Sequence, residues 1–226
     1  MIKFEKVTKI YPPNTAVLKD VTFEINEGEF VSIIGKSGAG KTTLTRLIFG
    51  LEDPTYGEVY FRNKNLRITD ASEIQKIRRS IGGIYQDYKL LPTKTVYENV
   101  AYVLEVKGVG QGEIKKETDK VLELIGLKDK IDNFPKELSG GEQQRLAVAR
   151  ALVIHPKILI ADEPTGNLDP YNTYEVMYLL EKINKAGTTV ILLTHNREII
   201  NKLGKRVVTL VGGRIIRDEA EGRFII

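Results

Sequence analysis

The chain has 226 residues, of which 42% are hydrophobic and 28% are charged, and it contains no cysteine. This composition is typical of a globular protein with a full hydrophobic core, and the lack of cysteine excludes disulfides and thiolate zinc sites. The 34 basic residues exceed the 30 acidic ones by only four, which permits an anionic partner without favouring one. Two short basic clusters, residues 76–79 and 115–116, are interpreted as solvated faces or partner-docking surfaces.

The sequence predicts neither a secretory signal nor a membrane span. Residues 1–13 lack the basic segment followed by an apolar stretch that marks a signal peptide. No apolar run approaches the ~20 residues that a membrane-spanning helix needs. If the protein acts at a membrane, we therefore expect another chain to cross it.

The first third of the chain is dominated by predicted strands. Residues 19–26 alternate apolar and polar side chains, which is typical of a half-buried strand. Residues 29–35 form a nearly continuous apolar run, as in a buried parallel strand. A glycine-rich loop follows, then a predicted helix over residues 41–51 and a strand over residues 57–63.

The middle of the chain, from about Tyr88 to His155, is a predicted helical insertion. Residues 95–108, 112–127 and 139–154 each carry apolar side chains at helical spacing between glycine or proline stops. His155 is interpreted as a loop residue that closes the insertion. Strands and helices alternate again up to residue 216, which predicts an α/β protein with a mostly parallel sheet covered by helices.

A phosphate-binding loop is the most specific motif. The segment GKSGAGKT, Gly35 to Thr42, matches G-x-x-x-x-G-K-[ST] between a predicted strand and a helix. Its backbone N–H groups and the helix N-terminus suit phosphate oxygens, whereas the alternative is a chance glycine-rich turn. Lys41 is expected to reach the β- and γ-phosphates, and Thr42 to ligate Mg²⁺. The predicted nucleotide contacts here are Gly35, Lys36, Ser37, Gly38, Ala39, Gly40, Lys41, Thr42 and Thr43.

Two acidic residues, Asp162 and Glu163, end the apolar strand KILIAD. The carboxyl ends of parallel strands lie at one edge of the sheet, so both acids are expected beside the phosphate loop. Asp162 is then expected to hold Mg²⁺, and Glu163 to polarise the attacking water. The alternative is that the two acids merely terminate a strand.

The segment ELSGGEQQRLAVARAL, residues 137–152, begins a predicted helix in an unusual way. Ser139 and Glu142 fit a capping box, in which the serine caps a backbone N–H and the glutamate reaches back. Gly140 and Gly141 stand between them, although glycine is a poor helix former. The two glycines therefore indicate a requirement other than helix formation.

Together these motifs resemble the ABC-type ATPases. The phosphate loop, SGGEQQR, LIADEPTGNLD and THN occur in that family's order, and the resemblance covers essentially the whole chain. It implies a P-loop fold with a mostly parallel core, an N-terminal antiparallel β-subdomain and an inserted helical subdomain. Residues 1–226 would form a single ATPase domain, with residues 1–87 and 156–226 as the core and residues 88–155 as the helical subdomain.

The resemblance also implies roles for residues outside the phosphate loop. Tyr11 resembles the aromatic residue that stacks on adenine, with Val17 nearby, although ordinary packing at a strand end would also account for Tyr11. Gln86 resembles a glutamine that contacts Mg²⁺ or water and couples to a membrane partner. Asp169, within residues 167–169, resembles a loop residue that crosses between subunits, and His195 resembles the histidine that touches the γ-phosphate.

The sequence departs from the family pattern at two positions. Asn196 follows the histidine where aspartate is common, and Lys36 stands in the phosphate loop where proline is frequent. Neither change removes a phosphate or metal contact, so we expect ATP use to be retained.

The resemblance implies a function that needs two copies of the chain. ATP and Mg²⁺ would bind a head-to-tail homodimer, in which residues 139–143 of one copy, called the signature residues below, contact the ATP of the other.

Residues 83–102 resemble the FtsE group of cell-division ATPases, whose membrane partner FtsX regulates cell-wall hydrolases. This implies a peripheral location on the cytoplasmic face of the bacterial inner membrane, with other division proteins as further partners. The signature residues are Ser139, Gly140, Gly141, Glu142 and Gln143.

Two alternatives stay open at this point. The same motifs fit the ATPase subunit of a lipoprotein-release, macrolide-type or small-solute transporter. ABC ATPases that act on nucleic acid or in translation carry coiled coils, zinc-binding cysteines or two cassettes, none of which this sequence has. We therefore expect no nucleic-acid partner.

Overall fold

The computed structural model describes residues 1–224, which fold into two sheets and seven helices. The strands are β1 (Ile2–Tyr11), β2 (Thr15–Ile25), β3 (Phe30–Ile34), β4 (Tyr56–Phe61), β5 (Lys64–Asn65), β6 (Ile81–Tyr85), β7 (Ile158–Asp162), β8 (Thr189–Thr194), β9 (Arg206–Val211) and β10 (Arg214–Glu219). The helices are α1 (Lys41–Ile48), α2 (Ala71–Arg78), α3 (Val96–Val106), α4 (Gln111–Leu124), α5 (Gly140–Leu152), α6 (Pro170–Lys185) and α7 (Arg197–Leu203).

The larger sheet has the strand order β10-β9-β3-β8-β7-β6. Adjacent strands from β9 to β6 are parallel to one another. In this sheet only β10 runs antiparallel, in a hairpin with β9. The predicted α/β class with a mostly parallel sheet is confirmed.

The central strands are apolar on both faces because each face of the larger sheet is covered. In β3, Phe30 and Ile34 belong to one core cluster, and Val31 and Ile33 belong to the other. This alternation follows from the two-residue repeat of a strand, and β7 and β8 divide in the same way. Burying each large aliphatic side chain contributes about 1.5–3 kcal/mol.

The smaller sheet is antiparallel and has the order β2-β1-β4-β5. The rings of Phe4 and Phe23 stack within it at 4.8 Å, and they share a core cluster with Leu44 and Leu47 of α1. This is the expected N-terminal antiparallel β-subdomain.

The helical insertion contains α3, α4 and α5, with short 3₁₀ turns at Lys128–Lys130 and Pro135–Glu137. Each of the three helices contributes a fully buried residue to the same hydrophobic cluster, namely Val100, Leu122 and Leu146. The helix α3 begins at Val96, as predicted from the segment that starts at residue 95. His155 lies exposed after α5, as expected for a loop, and its Nε2 is 2.8 Å from Glu117 Oε2 on α4.

One short helix, α2, was not predicted from the sequence. It is capped by Asp70 and buries only Ile77, so its amphipathic pattern is weak. Arg78 donates hydrogen bonds to the carbonyls of Phe49 (2.9 Å) and Gly50 (2.6 Å) after α1. Arg78 therefore has a structural role that the interpretation of residues 76–79 as a solvated or docking face did not include.

Within residues 1–224, none of the helices combines the length and the apolar composition that crossing a membrane requires.

Candidate nucleotide site

The candidate site is a cleft at the carboxyl edge of the parallel sheet. Strands β3, β6, β7 and β8 all end there, as their parallel registers require. The cleft has a volume of about 1310 Å³. It is lined by Val17, Lys36, Ser37, Gly38, Gly40, Lys41, Thr42, Thr43, Tyr85, Gln86, Asp87, Lys89, Asp162, Glu163, Asn167, His195 and Phe224.

The phosphate loop joins β3 directly to α1. Gly40 precedes the first turn of α1 with φ 108°, and no side chain caps that turn. A Cβ atom on Gly40 would lie 2.7 Å from Leu18 Cδ2, so both its conformation and its packing require glycine. The N-terminal N–H groups of α1 thus face the cleft free of a competing cap, as an anion-binding loop needs.

The ammonium of Lys41 lies across the mouth of this loop. Its Nζ donates to the carbonyl of Gly35 (2.8 Å) and, more weakly, to that of Lys36 (3.4 Å). It is 4.0 Å from Glu163 Oε1. The loop's own carbonyls therefore hold a positive charge where a phosphate would enter.

The carboxylate of Glu163 is fixed by the end of the neighbouring strand. Its Oε2 accepts from the hydroxyl of Thr194 (3.0 Å), and its Oε1 lies 2.7 Å from His195 Nδ1. Glu163 has φ 48°, the left-handed region that costs energy for a non-glycine residue. The backbone turn after β7 thus aims this carboxylate at the histidine.

The carboxyl of Asp162 is in a different environment from its neighbour. Burial, and secondarily the charge of Glu163, raises the pKa of Asp162 above its ordinary value, while Lys41 opposes the shift. A carboxylate that is costly to ionise in this way is stabilised by a bound cation.

The donor set at the cleft fits Mg²⁺. Thr42, Gln86 and Asp162 all line the cleft, and hydroxyl, amide and carboxylate oxygens are the ligands that Mg²⁺ takes. Among residues 1–224, no group of three or more histidine and acidic side chains could hold a metal ion. A magnesium ion bound here would therefore take further oxygens from phosphate or water, as is usual for this ion.

Gln86 is coupled to the loop that follows β7. Its Nε2 donates to Asn167 Oδ1 (3.3 Å), and Asn167 Nδ2 donates to the carbonyl of Gln86 (3.2 Å). The sequence placed Asn167 in a loop and Thr194 in the THN motif, but it indicated no role for either side chain. Their signal is weak, because each is one polar residue beside a stronger motif.

Some of the predicted nucleotide contacts do not line the cleft. Tyr11 is directed at Glu52, with 2.5 Å between its hydroxyl and Oε2, and Lys9 Nζ lies 5.1 Å from its ring centroid. Asp169 caps the first turn of α6 through its carboxylate. Gly35 and Ala39 are buried in the loop rather than exposed to the cleft.

The signature residues Ser139 to Gln143 also lie outside the cleft. Ser139 and Glu142 form the predicted capping box at the start of α5, which is confirmed. A Cβ atom on Gly141 would lie 1.8 Å from Asn172 Oδ1 of α6, whereas one on Gly140 would have no neighbour closer than 3.4 Å. Gly141 is thus packed tightly against α6, whereas Gly140 is exposed and a Cβ atom there would make only ordinary van der Waals contacts.

Comparison with known proteins identifies the family to which this chain is similar. The family model for ABC transporters matches residues 18–166. The cell division ATP-binding protein FtsE of Streptococcus pneumoniae serotype 2 is 48% identical over 224 residues, which cover 99% of this chain and 97% of that protein. The methionine import ATP-binding protein MetN of Geobacillus kaustophilus is 44% identical over 220 residues, 96% of this chain and 64% of that protein.

A solved structure is similar over the same range. The dimeric ATP-binding cassette MJ0796, in a post-hydrolysis state bound to ADP and Pi, is 39% identical, with 99% of this chain and 100% of that chain covered. The two folds agree with a TM-score of 0.88.

Proposed function

The chain belongs to the ABC transporter family of ATPases, and from this premise we propose that it is the ATP-hydrolysing subunit of a bacterial membrane complex that acts in cell division. ATP would close two copies head to tail, each placing Ser139 to Gln143 on the ATP held by the other. The observation that carries this proposal is that two sets of predicted site residues lie apart within one chain. The phosphate loop and Glu163 line the cleft, while the signature residues lie outside it. The dimeric state of the cassette MJ0796 supports it.

The cleft suggests how the hydrolytic step proceeds. A water oxygen attacks the γ-phosphorus and the bond to the β–γ bridging oxygen breaks, giving ADP and phosphate. Glu163 accepts hydrogen bonds at both oxygens, which orients it to take the proton of that water. The ammonium of Lys41 would exchange its hydrogen bonds to the loop carbonyls for hydrogen bonds to the phosphates. His195 would donate a hydrogen bond to the γ-phosphate.

The metal and the adenine complete the proposed site. Mg²⁺, held by Thr42, Asp162 and Gln86, would neutralise charge on the β- and γ-phosphates when bound. From its resemblance to the family's stacking aromatic residue, Tyr11 would supply the surface for adenine, although its hydroxyl is bound to Glu52 rather than directed into the cleft. Val17, which lines the cleft, would contact the sugar or base from the same side.

The loop after Gln86 is the proposed contact with a membrane partner. Asn99 is fully buried and binds the backbone of Leu91, Lys94 and Thr95 through four hydrogen bonds of 2.9–3.1 Å. Arg150 of α5 donates to the carbonyl of Lys89 (2.5 Å). The loop is thus tied to the same helix that begins with the signature residues, so closure of the dimer would move it.

The similarity to FtsE proteins supports an FtsX-like protein as that partner, in the control of cell-wall hydrolysis. Other division proteins would join the same complex. The ATPase would then sit peripherally on the cytoplasmic face of the bacterial inner membrane.

A small-solute importer is the second candidate function, favoured by the 44% identity to MetN. The identity of the membrane protein that co-purifies with the chain distinguishes the two candidate functions. A four-span FtsX-like protein with a large outer domain supports the division complex, and a six-span permease supports the importer.

The substitution Glu163→Gln tests the proposed reaction and the dimer together. It removes the proton acceptor but keeps the size of the side chain. We expect ATP hydrolysis to fall by at least about 10²-fold, while ATP makes the variant elute as a dimer. Unchanged hydrolysis would contradict the role of Glu163, and a monomer at saturating ATP would contradict the dimer.

A further inference from the structure

The acidic residue of the signature helix is bridged to a lysine from another part of the insertion. Lys130 Nζ, in the 3₁₀ turn after α4, lies 2.5 Å from Glu142 Oε1. The other oxygen, Oε2, accepts from the backbone N–H of Ser139 (2.9 Å) and from its hydroxyl (3.0 Å). The Glu142 side chain is only 16% exposed, so its charge is poorly screened by water.

This arrangement places a negative charge where a phosphate is to arrive. The hydroxyl of Ser139 now donates to Glu142, and on the proposed function the same hydroxyl must donate to the γ-phosphate of a second copy. A phosphate oxygen at hydrogen-bond distance from Ser139 would lie within about 6 Å of the carboxylate, close enough for strong repulsion between like charges. The ammonium of Lys130 is the cation that offsets this charge.

We propose that Lys130 is a positioning residue for ATP in the second-copy half of the site, acting through Glu142. It neutralises the carboxylate that orients Ser139, and so lets the serine exchange its intramolecular acceptor for a phosphate oxygen. This inference rests on the proposed head-to-tail dimer. Lys130 lies outside the signature segment, nine residues before Ser139 in sequence, and only the folded structure brings the two together.

The test is carried out on the full chain with the Glu163→Gln substitution, in which ATP-dependent dimers accumulate. Lys130→Met keeps the aliphatic stem and removes the charge. We expect the ATP concentration for half-maximal dimerisation to rise about tenfold, and the KM for ATP to rise similarly in the chain that retains Glu163, with kcat little changed. The affinity of the monomer for ADP is expected to stay the same, because the phosphate loop is untouched.

Further variants separate charge compensation from simple structural support. Lys130→Arg is expected to restore the native ATP requirement. In Glu142→Gln the carboxylate is gone but the amide oxygen can still accept from Ser139, so adding Lys130→Met to that chain is expected to change its ATP requirement by no more than about twofold. Lys128→Met is the matched control. Lys128 lies in the same turn and pairs with Glu123 at 3.4 Å, and its substitution is expected to change nothing.

The possible outcomes distinguish this inference from the function on which it rests. An unchanged ATP requirement in Lys130→Met, or an equally large further loss when Lys130→Met is added to Glu142→Gln, would overturn the role of Lys130. The second result would mean that the lysine only ties the turn to α5. Failure of the Glu163→Gln chain with native Lys130 to dimerise would instead overturn the proposed dimer.

Discussion

The side chains of Thr194 and Glu163 are joined by a hydrogen bond of 3.0 Å between the threonine hydroxyl and Oε2. The same threonine oxygen accepts from the backbone N–H of Asn196 (3.1 Å), and the residue is fully buried. The last residue of β8 therefore fixes the carboxylate proposed to activate water. His195, the next residue, contacts the other carboxylate oxygen.

Thr194→Val is expected to lower kcat about tenfold with little change in KM, because a hydrogen bond to a charged group is worth about 1.5–3 kcal/mol. The valine keeps the shape of the side chain but cannot hold Glu163. ATPase kinetics measure the effect. The control is Thr189→Val at the other end of β8, where a buried hydroxyl accepts from Gly28 N (2.9 Å). Equal losses of kcat in the two variants would show that only strand stability matters.

Asp162→Asn is expected to stabilise the protein at neutral pH while abolishing magnesium-dependent hydrolysis. Because burial raises the pKa of Asp162, the folded protein binds a proton there more tightly than the unfolded chain does. Ionisation of this carboxyl thus costs stability above the raised pKa, and the cost vanishes as the pH falls below the ordinary value of 3.8.

The pH dependence of the unfolding free energy measures this effect. The stability advantage of Asp162→Asn is expected to be largest at neutral pH and to shrink as the solution is acidified. Asp129→Asn, at an exposed carboxylate, is the control and is expected to show no such advantage. A variant less stable than the native protein at neutral pH would contradict the account of Asp162.

Alanine substitutions at the two signature glycines, Gly140 and Gly141, are expected to have different effects. In Gly141→Ala the added methyl would overlap Asn172, so we expect a loss of about 1–3 kcal/mol of stability, partly recovered by Gly141→Ala/Asn172→Gly. In Gly140→Ala the methyl meets nothing closer than 3.4 Å. Stability should then be retained while ATP-dependent dimerisation weakens. Equal thermal stability of the two alanine variants would contradict this distinction.

The sequence predicted most of the fold because its signals are local. The apolar run before the phosphate loop, the helical spacing between residues 95 and 154, and the capping box of Ser139 and Glu142 each depend on neighbouring residues, and each is present. The short helix α2 was missed because it buries a single residue, Ile77, and so lacks a clear apolar face.

The parts of the site that were not predicted depend on contacts between distant segments. Asn172 lies 31 residues after Gly141, and nothing near the glycine indicates that a side chain from another helix fills its space. The same holds for Lys130 and Glu142, and for Tyr11, which is directed at Glu52 rather than into the cleft. A motif specifies which residues take part, whereas their partners follow only from packing.

The most direct test of the head-to-tail dimer mixes two inactive chains. Lys41→Ala destroys the phosphate loop, and Ser139→Ala with Gly140→Arg blocks the signature residues. In a mixed dimer one of the two sites would combine the intact Lys41 of one copy with the intact Ser139 of the other. An equal mixture is therefore expected to recover up to about a quarter of native ATPase activity, since half of the dimers would hold one complete site. A mixture as inactive as its separate components would contradict the account.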